Sequence, residues 1–150
     1  MEIPYRLEQA LNKLYTAFHK GSLNPKCCNH CAVGNICDNT DTWKHLTNEH
    51  GSMALNQLGR LNELFNRRIN GYLPSELLTI EAIFLSACGY KIPFKRSDKN
   101  VDPKDKEVQF NGLCAVVAYL CELDGVDNVM KITQLFEYEK EQPAFDLKFN

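Results

Sequence analysis

Residues 75 to 88 are apolar almost all round, since Leu77, Leu78, Ile80, Ala82, Ile83, Phe84, Leu85 and Ala87 leave little room for a polar face. A helix of that composition has to be buried on most sides. Pro74 stands just before it, at a helix-start position. A chain of 150 residues corresponds to one ordinary domain, so this segment is predicted to be the centre of a single core spanning 1–150. Amphipathic partners are easy to find. Ile3, Leu7, Ala10, Leu11, Leu14, Ala17 and Phe18 mark one helical face over residues 3 to 20, with Pro4 tolerated in the first turn and Gly21 at the end. Leu55, Leu58, Leu61, Leu64, Phe65 and Ile69 predict a second long helix that stops near Gly71 and carries Arg60, Arg67 and Arg68 on its polar face. Phe110 to Leu123 forms another, closed by Asp124-Gly125. A last helix runs from about Asn128 to Tyr138, with Val129, Ile132, Leu135 and Phe136 on one face and a tail interrupted by Pro143 after it.

Between these segments the periodicity lapses. Residues 22 to 41 are rich in Gly, Asn, Pro and Cys and are predicted to be a loop. Thr42 to His50 fits a short helix with Thr42 as N-cap and Gly51 just past its end. Lys91 to Glu107, polar and carrying Pro93 and Pro103, is an exposed connection. No alternating pattern of strand length is visible. The expected architecture is therefore all-α, an irregular bundle of four to five main helices with a Cys-rich loop after the first.

Charge narrows the partners. With 17 Lys+Arg against 19 Asp+Glu the net charge is −2, which gives no electrostatic basis for binding nucleic acid or an anionic membrane. No apolar run has membrane-spanning length, and Met1-Glu2-Ile3-Pro4-Tyr5-Arg6 does not resemble a secretory signal. A cytoplasmic protein is expected. Its seven cysteines, an odd number in a reducing compartment, then point to metal or thiol chemistry rather than a disulfide framework.

Cys28 and Cys31 form C-x2-C, and His45 and His50 complete C-x2-C-x13-H-x4-H, a spacing within the range of Cys2His2 zinc sites. Two thiolates from one turn and two imidazoles from a following segment can close a tetrahedron around zinc. Such a site would be structural, fixing a metal-binding loop at about residues 22–51 against the helices. One feature strains the pattern: His45 and His50 are five apart, whereas ligands on a regular helix prefer three or four. Cys27, Cys37 and His30 are reserve ligands. The core positions of a DNA-reading finger fall on polar residues such as Asn35 and Asp41, and no basic helix follows.

Other chemistry has to be weighed beside zinc. Cys27, Cys28, Cys31 and Cys37 could hold an iron–sulfur cluster, although plant-type ferredoxins place the wider gap before the C-x2-C pair. A thioredoxin-like dithiol would sit in a βαβ context, which this chain lacks. Cys88, Cys114 and Cys121 lie on apolar helical faces and read as core packing. Asp98-x-Asn100-x-Asp102 starts like a calcium loop but has Pro103 where Gly is needed. Glu81 falls on the apolar stripe of the central helix, without the His at i+3 that a di-iron site requires. It is expected to pair with Arg67, Arg68 or Tyr72. A metal-free helical adaptor is a further alternative, its tail of Phe136, Tyr138, Phe145 and Phe149 docking on itself or on a protein partner.

At Cys27-Cys28-Asn29-His30-Cys31-Ala32-Val33-Gly34-Asn35-Ile36, Trp43-Lys44-His45-Leu46 and His50-Gly51-Ser52 the chain resembles a family of short bacterial proteins. The likeness continues through Ile80-Glu81-Ala82, Phe110-Asn111-Gly112-Leu113-Cys114 and Asn128-Val129-Met130. Members are often catalogued as the flavin- and NADH-binding component of the sodium-translocating NADH:quinone reductase, an iron–sulfur protein that passes electrons from NADH. These 150 residues have neither a membrane helix nor a Gly-rich nucleotide loop. The resemblance thus implies kinship with the short proteins and assigns no catalytic residue. The function expected from the residues is an interaction or regulatory module with a structural zinc site; the alternative is an iron–sulfur or thiol redox protein.

Overall fold

In the computed structural model, residues 3–91 and 101–127 are described. They form five α-helices and one 3-10 helix, without a β-strand. The order is α1 (Tyr5–Lys20), α2 (Ala32–Ile36), a 3-10 helix (Thr42–Leu46), α3 (Gln57–Leu64), α4 (Pro74–Cys88) and α5 (Lys106–Leu123). The all-α bundle is as expected. Within the described residues no helix is long and apolar enough to cross a membrane. The helix expected from Asn128, the aromatic tail and the Asp98 to Asp102 segment fall wholly or largely outside the described residues.

α4 is the centre. Leu77, Leu78, Ile80, Ala82, Phe84, Leu85 and Cys88 are all buried, as a helix without a polar face requires. Its main partner is α5, which supplies buried Leu113, Val116, Val117, Leu120 and Cys121. The two helices approach closely at Gly112, where an added Cβ would lie 2.6 Å from Cys88 Sγ and 2.7 Å from the Phe84 ring. A side chain at that point would force the helices apart. α1 packs on α2 and α5 through its apolar stripe, and α2 packs on α4. A polar clamp joins the start of α1 to the end of α5: Arg6 Nε donates to Asp124 Oδ1 at 2.9 Å and Arg6 Nη1 to the Gly71 carbonyl at 2.7 Å. The Arg6 guanidinium also lies over the Tyr72 ring.

Three segments depart from the sequence expectation. The 22–41 loop contains a short helix, α2, too brief for hydrophobic periodicity to reveal. The segment after it is a 3-10 helix that ends at Leu46 and follows Asp41, so Thr42 is its first residue rather than its cap. The helix expected to reach Gly71 ends at Leu64, and Asn66 adopts a positive φ of 57°. Its leucines also do not face the core: Leu58, Leu61, Leu64 and Phe65 are exposed, the last two by 76% and 63%. α3 is instead held by its small and polar side. Gly59 sits against the Leu46 carbonyl, and Glu63 accepts from the Ser75 amide at 2.9 Å and the Ser75 hydroxyl at 2.7 Å. Apolar periodicity alone cannot tell which face of a short helix meets the body when polar anchors compete.

Candidate functional site

The Cys-rich turn is fixed from several directions. His30 N–H and Cys31 N–H both donate to the Cys27 carbonyl, at 3.0 and 2.8 Å, which coils residues 27 to 31 into a tight turn. Asn35 Nδ2 bridges the His30 and Cys31 carbonyls at 3.0 and 2.9 Å, and Asn39 Nδ2 donates to Asn29 O at 3.1 Å. Asparagine amides satisfy a backbone that no regular helix or ladder could satisfy. The buried Trp43 donates from Nε1 to the Cys28 carbonyl at 3.1 Å. Gly34 completes the fit, since a Cβ there would be 2.4 Å from Cys28 O and 2.5 Å from the Asn29 carbonyl carbon.

Cys28 of this turn meets His50, with Cys31 behind it, while His45 lies apart. Cys28 Sγ lies 3.2 Å from His50 Nδ1. The opposite ring nitrogen, Nε2, lies 3.2 Å from Oε2 of Glu81. Glu81 is fully buried, and its other oxygen accepts from Val33 N–H at 3.3 Å. The Trp43 ring meets the His50 ring edge-on at 5.7 Å between centroids. A thiol, an imidazole and a carboxylate thus follow one another. Cys28 and His50 border a surface cavity of about 220 Å³, together with Trp43, Lys44 and Asn48.

Cys31 lies behind them, with no exposure to solvent. Its Sγ caps α2 by accepting from Gly34 N–H at 3.3 Å, and it is 3.6 Å from the Cys28 carbonyl. Burial pushes this thiol well above the usual cysteine range, and the charge of Glu81 and a hydrogen bond to it push further in the same direction. Cys31 is therefore held as a protonated thiol in a sealed position near the buried Glu81.

His45 is elsewhere. In a 3-10 helix residues three apart share a face, so buried Trp43 and Leu46 turn inward and His45 turns outward. It lines a separate hollow with Asn48, Asn56 and Leu58. His50 follows after the helix has ended, which frees it from the helical spacing that made the pair of histidines awkward. Among the described residues no three His, Cys, Asp or Glu side chains are grouped so as to hold a metal ion. Of the reserve ligands, Cys27 Sγ pairs with His30 Nδ1 at 3.2 Å on the surface. Cys37 is buried at the end of α2, where desolvation pushes its thiol up to about 12.

Glu81 is the main correction among single residues, because it pairs with His50 and Val33 rather than Arg67, Arg68 or Tyr72. Its place on an apolar stripe was the visible signal, but nothing in its own helix names a histidine 31 positions earlier. Cys88 and Cys121 are core cysteines as expected, while Cys114 is half-buried; none of the seven cysteines is in a disulfide. Comparison with protein-family models, with curated proteins and with solved structures found no match.

Proposed function

We propose that this protein carries out thiol chemistry at Cys28, with His50 as proton acceptor and Glu81 as the group that orients the imidazole. The observation that carries this reading is the succession of Cys28 Sγ, His50 and Glu81, with both contacts at 3.2 Å. A thiolate is the reactive form of cysteine, and an imidazole at hydrogen-bond distance is placed to take the thiol proton. The carboxylate on the other nitrogen selects the tautomer that leaves Nδ1 able to accept, the same division of roles as in Cys-His and Ser-His sites on unrelated folds. The cavity bordered by Cys28 and His50 gives a reagent or substrate access to the sulfur. A reducing, cytoplasmic setting suits a site that depends on a thiol.

Alkylation of Cys28 by iodoacetamide, followed by peptide mass spectrometry on the full chain, tests the reading. His50→Gln is expected to slow modification of Cys28 by at least about tenfold, and Glu81→Gln by less, with helicity retained in both. An His50→Gln chain alkylated at the parent rate would overturn the assignment. So would about one equivalent of zinc retained on purification and lost in Cys28→Ser, since a metal-bound sulfur belongs to a structural centre.

A further inference from the structure

Cys31 is not needed by a thiol nucleophile alone, yet it is the most carefully placed cysteine in the chain. It is fully buried, one turn after Cys28 in a coil closed by two hydrogen bonds to the Cys27 carbonyl, and it sits between the Cys28 backbone and the Glu81 carboxylate. Residues three apart in such a turn lie within the Cα separation that a disulfide spans. Only the first sulfur borders the cavity. An accessible thiol beside a base, backed by a buried thiol beside a carboxylate, has the parts required for a two-step exchange.

We infer that Cys28 and Cys31 form a dithiol pair that reduces disulfides, with Cys28 as attacking thiol, Cys31 as resolving thiol and Glu81 as the acceptor of the Cys31 proton. This rests on the preceding assignment of Cys28 as the reactive sulfur. In the first step His50 takes the Cys28 proton, and the thiolate attacks a substrate disulfide. A Cys28–substrate sulfur bond forms, the substrate S–S bond breaks, and the first substrate thiolate leaves with a proton from His50. In the second step Glu81 takes the proton of Cys31, whose sulfur attacks Cys28 Sγ. The Cys28–Cys31 disulfide forms, and the second substrate thiolate leaves, taking up that proton. The dithiol loses two electrons and the substrate disulfide gains them. Substrates are disulfides with an exposed sulfur, because the 220 Å³ cavity admits one sulfur and its substituent to Cys28 while Cys31 stays covered.

The test uses the reduced full chain with Cys27→Ser, which removes the neighbouring surface thiol, and bis(2-hydroxyethyl) disulfide as the probe. Released thiol and peptide masses are followed with and without Cys31→Ser. Serine can keep the cap on α2, and helicity is compared between the two. The chain with Cys31 intact is expected to release about two thiol equivalents and to accumulate the Cys28–Cys31 disulfide. The Cys31→Ser chain is expected to stop at about one equivalent, as a mixed disulfide on Cys28. If both chains stop at the mixed disulfide, Cys31 is not a resolving thiol, and the exchange cycle falls while Cys28 reactivity stands. If Cys28 is unmodified in both, the thiol reading of the whole site falls as well.

Discussion

Replacing Gly34 by Ala should damage the site without touching any of its side chains. The new methyl would lie 2.4 Å from Cys28 O, about 1 Å short of the 3.4 Å at which ordinary contact begins, and 2.5 and 2.8 Å from the carbonyl carbon and oxygen of Asn29. All three neighbours are backbone, and the turn that carries them is tied to Trp43, Asn35 and Asn39. No side chain can swing aside, so the turn has to move as a body. Overpacking of this kind costs roughly 1–3 kcal/mol, and for a chain of this length that lowers the melting temperature by about 2–12 °C. The displacement also acts on chemistry. A Cys28 carried about 1 Å away from an imidazole now 3.2 Å off leaves hydrogen-bond range, so its alkylation should fall towards the rate of His50→Gln. Thermal unfolding by circular dichroism and the Cys28 alkylation rate measure the two effects. An alanine variant that melts with the parent and reacts at the parent rate would refute the idea that this close approach holds the turn in place.

Other consequences concern packing and pH. Leu113, fully buried on α5, should cost about 2–5 kcal/mol when cut to alanine. By contrast, Leu64→Ser on the exposed face of α3 should change stability by no more than about 0.5 kcal/mol; urea unfolding checks both, and a large loss at Leu64 would mean that face is covered. His19 is held below the ordinary imidazole range, first by burial and then by the charge of Lys106. The unfolded chain therefore takes up this proton first as pH falls through about 6.5. Stability should decline below that pH, and His19→Gln should remove this part of the decline in denaturation midpoints compared at about pH 7 and about pH 5.5.

The parts of the molecule governed by local chemistry were legible in the sequence. α1 and α4 show why: their faces are defined by many apolar residues at helical spacing, and Gly21 and Gly89 end them in the left-handed conformation. α3 shows the limit. Its leucines repeat at the same spacing, but the side that meets the body is chosen by Gly59 and Glu63, and neither contact can be inferred from the helix itself. The same distinction separates the two histidines, because the inward turn of Trp43 and Leu46 sends His45 to the surface and leaves His50 to meet the sulfur.

By itself the amino-acid order determined that the chain is helical and that α4 lies at its middle, and it marked Cys28, Cys31 and two later histidines as a candidate metal site. Only the tertiary structure decided that Glu81 completes that group and that the two sulfurs occupy different environments, one beside a cavity and one sealed. The reason is physical. Helical periodicity and turn chemistry act over a few residues, whereas the surroundings of a sulfur or a carboxylate are set by whichever distant segments are packed against it.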